Sequence, residues 1–292
     1  MKNTVKQICK ALGYFLFYLV VGQIVVSLAV QVVMGAIASN EAAAKGISIA
    51  TREDAVAVGM EYYNQHMGID LAVRALFLIV AFLIFFVIRK KNYFKEISFE
   101  KVSGKKLVAA LIGSLFVIFF LNGMLTLLTP KDQAQAFNEA SSVLYTYPLW
   151  QAILANCLLG PIIEEIVFRG LMFSRLQKAM PNVAVALVTS LIFGVIHGQP
   201  VWMIFTFTMG LFLSFVRIKT GSILPTILIH VITNTYATLL SYKVFEYNSY
   251  ALYYSLVAVG AISFFVSVAL MLKACKEEQE PASAPTISTV VM

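Results

Sequence analysis

Charge is what this sequence has least of. Only 13% of its 292 residues are Asp, Glu, Lys or Arg, about half the share usual in a soluble globular protein. With 60% of the residues hydrophobic, too little polar surface remains to enclose a water-soluble core. The excess must face lipid, so the bilayer is the solvent. Cysteine is as scarce. Cys9, Cys157 and Cys275 form an odd, scattered set, which excludes a disulfide framework. No internal repeat is present. Histidine occurs three times, and no histidine–glutamate zinc helix is built around it, because Gly198, Gln199 and Pro200 follow His197.

What the sequence does have is long apolar runs. A helical span needs about 20 mostly apolar residues. Eight segments qualify, at roughly 11–38, 71–88, 107–128, 148–174, 182–198, 200–216, 222–241 and 250–272. The expected fold is all-α and polytopic, with about eight transmembrane helices. Residues 1–147 hold three spans and an external loop at 39–70, with a short surface helix near Asp54–Met67. Residues 148–241 form the core, 242–273 the last span and 274–292 a disordered cytoplasmic tail. The basic start, Met1 to Lys10, precedes a run too long for a cleaved signal peptide. Asp70 and Arg74 are spaced i,i+4 at the outer end of the second span, where Arg74 is expected to snorkel outward as an anchor.

The formal charge of +7 reports topology, with no indication of nucleic acid. With the N-terminus in the cytoplasm, sixteen of the 22 lysines and arginines fall on the cytoplasmic side. Lys45, Arg52, Lys131 and Lys243 fall outside, and Arg74 and Arg169 lie within spans. This asymmetry is the positive-inside pattern. It predicts a multi-pass cell-membrane protein with both termini cytoplasmic and membrane lipid as its first partner.

Polar groups deep in spans mark function by default. In the fourth span, Glu164 and Glu165 follow Gly160 and Pro161. Glu165 and Arg169 are spaced i,i+4 in the favourable acid-first order. Glu164, rotated about 100° away, is the carboxylate without a cation, which suits it to move a proton. Pro161 removes a backbone donor, and the expected kink makes room for water beside Glu164. In the fifth span, Phe193 precedes His197 by one turn, and Gly194 admits a close neighbour. The helix is expected to end at Gly198–Pro200. In the seventh, His230 and Asn234 share a face. Each set alone has a bland reading as packing or interhelical glue. Together they are expected at one depth, because Glu164 and His197 lie at similar distances from the turn near Pro181.

A carboxylate, an imidazole and two further polar groups suit activation of water against a carbonyl. Glu164 would take the proton. His197 would orient the water or protonate the leaving amine. His230 and Asn234 would hold the oxyanion, with Glu165 and Arg169 fixing Glu164 and Phe193 supporting. A divalent metal such as zinc is compatible with Glu164, His197 and His230 as ligands, and the sequence leaves metal dependence open.

Glu164-Glu165-x-x-x-Arg169, Phe193-x-x-x-His197 and His230-x-x-x-Asn234 resemble the three motifs of the CPBP family, the type II CAAX prenyl endopeptidases and bacteriocin-processing or immunity proteins. The resemblance covers about 148–241. It implies an all-helical intramembrane peptidase, with Glu164 and His197 as catalytic pair and His230 and Asn234 as oxyanion stabilisers. It implies a membrane-bound peptide or protein substrate, lipidated in some relatives. A proton-coupled transporter and a non-catalytic scaffold or immunity protein are the alternatives. A transporter predicts matched halves with broken helices, and none are seen.

Overall fold

The computed structural model describes residues 2–128, 130, 142, 146–244 and 249–279. In chain order the elements are α1 (Lys2–Ala44), α2 (Arg52–Ile88), the single turn α3 (Tyr93–Glu96) and α4 (Gly104–Met124). Then come α5 (Leu149–Leu176), α6 (Asn182–Val195), α7 (Pro200–Thr220), α8 (Leu224–Ser241) and α9 (Tyr250–Glu277). Among the described residues there is no strand. Six of these helices, namely α1, α2, α4, α5, α7 and α9, are long and apolar enough to cross a membrane. The remaining two expected spans are also helices. α6 has only 14 residues, and α8 carries His230 and Asn234. Val32, Ile88, Val183 and Phe265 are each 70% or more exposed, as lipid-facing side chains should be. The protein is an all-α, polytopic integral membrane protein.

Two expected boundaries differ in the structure. The stretch 39–70 is helical except near 45–51. Thr51 and Asp54 form a reciprocal capping box, so α2 begins there and runs unbroken to Ile88. Its partner is the second half of α1, whose Met34, Ala38 and Ala42 are buried. Small side chains at helical spacing let the two helices pair well before Asp70. At the other end of the chain, α9 continues to Glu277, and Glu278 accepts from Ser103 Oγ at 2.6 Å. The expected tail therefore starts later than 274, and 280–292 lie outside the described residues.

Contacts between connections define two ends of the bundle. At one end Ser98 meets Ser174 at 3.0 Å, Ser222 Oγ donates to the Glu100 carbonyl at 2.8 Å, and Arg175 pairs with Glu96. At the other, Tyr253 OH donates to the Gly123 carbonyl at 3.1 Å, Gln151 donates to the Gln65 carbonyl, and Tyr242 to that of Tyr147. Antiparallel helices joined by short turns give this alternation directly.

Arg74 also departs from expectation. It turns inward with its side chain 13% exposed, pairs with the fully buried Asp70 at 3.2 Å, and donates to Gln23 Oε1 of α1 at 2.8 Å. Asp70 further accepts from Ser27 and Tyr63 at 3.1 and 2.9 Å. The long α1–α2 hairpin excludes water here, so the arginine satisfies a buried acid and has no need to reach for an interface. Removing one member of a buried pair leaves the other uncompensated, at about 3–5 kcal/mol. Arg74→Ala is thus expected to lower the thermal unfolding midpoint in detergent, and Asp70→Asn combined with it to restore part of the loss.

Candidate active site

The site begins with the way α5 winds. Ile153–Leu159 and Ile166–Met172 are π-helical, and Gly160–Glu165 between them is α-helical. π turns are rare, and where they occur they often mark functional sites. α1 carries a π stretch at Phe17–Val26 and α4 one at Phe116–Leu121. Pro161 stands where the winding of α5 changes, in the first turn of the α-helical piece, a position that tolerates its missing N–H.

The two carboxylates then part. Glu165 is fully buried and accepts from Arg169 Nη1 at 2.8 Å. Its Oε1 also lies 3.2 Å from His230 Nδ1. Glu164 keeps 21% side-chain exposure and lines a cavity of about 520 Å³. His197, His230 and Asn234 line the same cavity. His230 stands between the acids, with Nε2 at 3.6 Å from Glu164 Oε2. That separation is longer than a hydrogen bond.

His197 follows the last turn of α6, as the sequence predicted. Gly198 adopts φ +72°, a left-handed conformation open to glycine without strain, and Gln199 caps α7 through Val201 and Trp202. His197 Nδ1 lies 2.6 Å from the Phe193 carbonyl. A carbonyl only accepts, so Nδ1 holds the proton and Nε2 of the neutral ring is an acceptor. Gly194 admits α7 closely, since a Cβ there would meet the Met203 carbonyl oxygen at 2.9 Å.

Phe193 is the centre of the cluster. It is fully buried and meets His197 and His230 edge-on, with centroids at 4.9 and 5.9 Å. The Arg169 guanidinium sits 4.5 Å from the centroid of the same ring, a desolvated cation–π contact. Asn234 Nδ2 donates to the Asn156 carbonyl of α5 at 2.9 Å. An amide nitrogen carries two hydrogens, and this bond uses one.

All seven residues expected at the site are therefore brought together. As a metal site they are not: among the described residues, no three of His, Cys, Asp and Glu are placed to hold an ion. Nδ1 of His197 lies at a carbonyl and Nδ1 of His230 at Glu165, so only the two Nε2 atoms could serve as ligands. Sequence reasoning missed Asn156, Tyr18 and Gln23 on the cavity wall. Asn156 lies two turns before Glu164, and a polar residue in an apolar span was its signal.

Residues 146–236 match the family described as Type II CAAX prenyl endopeptidase Rce1-like. This stretch is similar to the Rce1-like family. Over 88 residues the chain is 30% identical to a Bacillus subtilis (strain 168) protein named "Putative membrane peptidase YdiL". The match covers 30% of this chain and 36% of that relative. No solved structure matches the chain. The Rce1-like stretch contains Glu164, Glu165, Arg169, Phe193, His197, His230 and Asn234. The cavity wall extends beyond it, through Tyr18 and Gln23 of α1, Leu71 of α2 and Tyr253 of α9.

Because Phe193 touches both histidines and Arg169, Phe193→Leu should cost roughly 1–3 kcal/mol through lost aromatic and cation–π contacts. Any activity is expected to fall by more than the folded fraction does, measured by melting and cleavage on the same preparation.

Proposed function

We propose that the protein is an intramembrane endopeptidase that hydrolyses a membrane-associated or lipidated peptide without a covalent intermediate. One observation carries this reading. Glu164, the carboxylate that Arg169 leaves free, faces the same cavity as His197. The Rce1-like match over the same residues supports it.

In the proposed sequence a water in the cavity lies between Glu164 and His197. His197 Nε2 accepts one of its hydrogens and orients it. Glu164 takes the other proton as the oxygen attacks the scissile carbonyl carbon. The C–O bond forms and the carbonyl oxygen becomes an oxyanion. Asn234 offers its remaining amide hydrogen. His230, with Nδ1 turned to Glu165, offers Nε2–H. Glu164 then returns its proton to the amide nitrogen, the C–N bond breaks, and an amine and a carboxylic acid leave. Arg169 holds Glu165, and Glu165 holds His230 through Nδ1, so the ion pair acts on the reaction only through position.

The test is a comparison of protein termini in membranes from cells carrying the wild type, Glu164→Gln or His197→Ala. New termini produced by the wild type are expected to fall by roughly 100-fold or more in both variants. His230→Ala and Asn234→Ala are expected to lose about 10²–10³-fold each if they hold the oxyanion. Full cleavage by both Glu164→Gln and His197→Ala would end the hydrolytic reading.

A further inference from the structure

The direction in which the cavity extends is set by which helix ends line it. From the layer of Glu164 and His230 its walls run past Thr206 and Ala237 to Ser241, Gly123, Tyr253 and Val257. Ser241 ends α8 and Tyr253 lies in the first turn of α9. Tyr253 is bonded to Gly123, and Tyr242, next after Ser241, to Tyr147. These are the contacts that define one end of the bundle.

The opposite end is closed. Below Glu165, Phe168, Arg169, Leu171 and Phe173 are fully buried. The connection from α3 to α4 is stitched across them. Ile97 is 2% exposed and lies on Gly170, where a Cβ would come within 3.0 Å of its carbonyl oxygen. Ile223 N donates to the Ser98 carbonyl at 3.0 Å, and Glu100 N to Ser222 Oγ at 3.1 Å. Lys105 pairs with Glu277 and Arg175 with Glu96.

That closed end is also the basic one. It gathers Lys91, Lys95, Lys105, Arg175, Lys219 and Lys276, with α1 packed against 173–176 so that Lys10 joins them. Sixteen of the 22 lysines and arginines belong to segments at this end. The positive-inside bias assigns such an end to the cytoplasm.

We infer that the cavity is filled from the extracytoplasmic face, and that its substrates are apolar or aromatic peptide segments presented in the outer half of the membrane. The substrate class rests on the peptidase reading above; the direction of entry does not. Trp202, Phe205, Tyr236, Leu256 and Val257 line the way in, so an apolar segment gains burial along it before it reaches the acid and imidazole groups of the Glu164 layer. A cytoplasmic, lipidated C-terminus would have to cross the stitched end to reach the same layer.

Single cysteines in the full chain, with Cys9, Cys157 and Cys275 replaced, test this. Ala237→Cys reports the cavity, Ser48→Cys the turn between α1 and α2, and Lys95→Cys the basic end. A charged, membrane-impermeant maleimide is applied to spheroplasts and to inverted membrane vesicles. Labelling of Ala237→Cys and Ser48→Cys in spheroplasts, and of Lys95→Cys only in inverted vesicles, is the expected pattern. Labelling of Ala237→Cys only in inverted vesicles, or from neither side, overturns the direction of entry; Ser48→Cys reacting only in inverted vesicles overturns the orientation. In the comparison of termini, cleavage sites lost with Glu164→Gln should map to extracytoplasmic ends of membrane segments. Mapping to cytoplasmic C-termini would overturn the substrate class. Unchanged termini would instead defeat the peptidase reading and leave the labelling result standing.

Discussion

A guanidinium buried in the middle of a membrane helix governs the rest of this structure. Arg169 is fully buried and meets one carboxylate, that of Glu165, at 2.8 Å. An isolated charge in this setting is prohibitive, so the pair is obligatory once Arg169 is present. Because one of two adjacent acids is committed, the other is not. The helix turns Glu164 away from the ion pair and into the cavity. The same guanidinium packs on the face of Phe193, whose edges meet both cavity histidines. One cation thereby fixes an acid, a ring and, through Glu165, the Nδ1 of His230.

Backbone geometry supplies the second constraint. The π stretches of α1, α4 and α5 each contribute to the cavity wall through Tyr18, Phe119 and Asn156. A π segment displaces the ladder of backbone bonds and re-aims the side chains that follow. In α5 it accompanies two main-chain acceptors used by other helices. The Asn156 carbonyl takes Asn234 Nδ2 at 2.9 Å, and the Arg169 carbonyl takes Arg217 Nε at 3.1 Å. The first ties the candidate oxyanion group of α8 to α5. The second satisfies a buried arginine at the end of α7.

Much of this was legible in the residues themselves. The i,i+4 order of Glu165 and Arg169 identifies the pair, and His197 followed by Gly198, Gln199 and Pro200 identifies the helix end. Apolar runs locate eight of the nine described helices, since lipid demands them; the single turn α3 is the exception. The rest depended on partners that lie far away in the chain. Residues 39–70 look polar enough for a loop, yet Ala38 and Ala42 bury against α2 and extend the hairpin. Arg74 reads as an interfacial anchor until Gln23 and Asp70 are placed beside it. The π segments have no residue signature, because tertiary packing selects that winding over the ordinary one. Ile97 looks like an apolar residue between lysines; only the fold shows that it seals the base of the site.

Which acid Arg169 holds is the central claim, and a double-mutant cycle measures it. Unfolding free energies in detergent are compared for Glu165→Gln, Arg169→Gln and the double variant, and for the same cycle built on Glu164→Gln. A coupling of about 1–3 kcal/mol is expected for Glu165 with Arg169, in the range found for residues in one buried network. A smaller coupling is expected for Glu164, which acts on Arg169 without a direct ion pair. Equal coupling in both cycles, or a stronger one through Glu164, would contradict the division of labour between the two carboxylates on which the site is built.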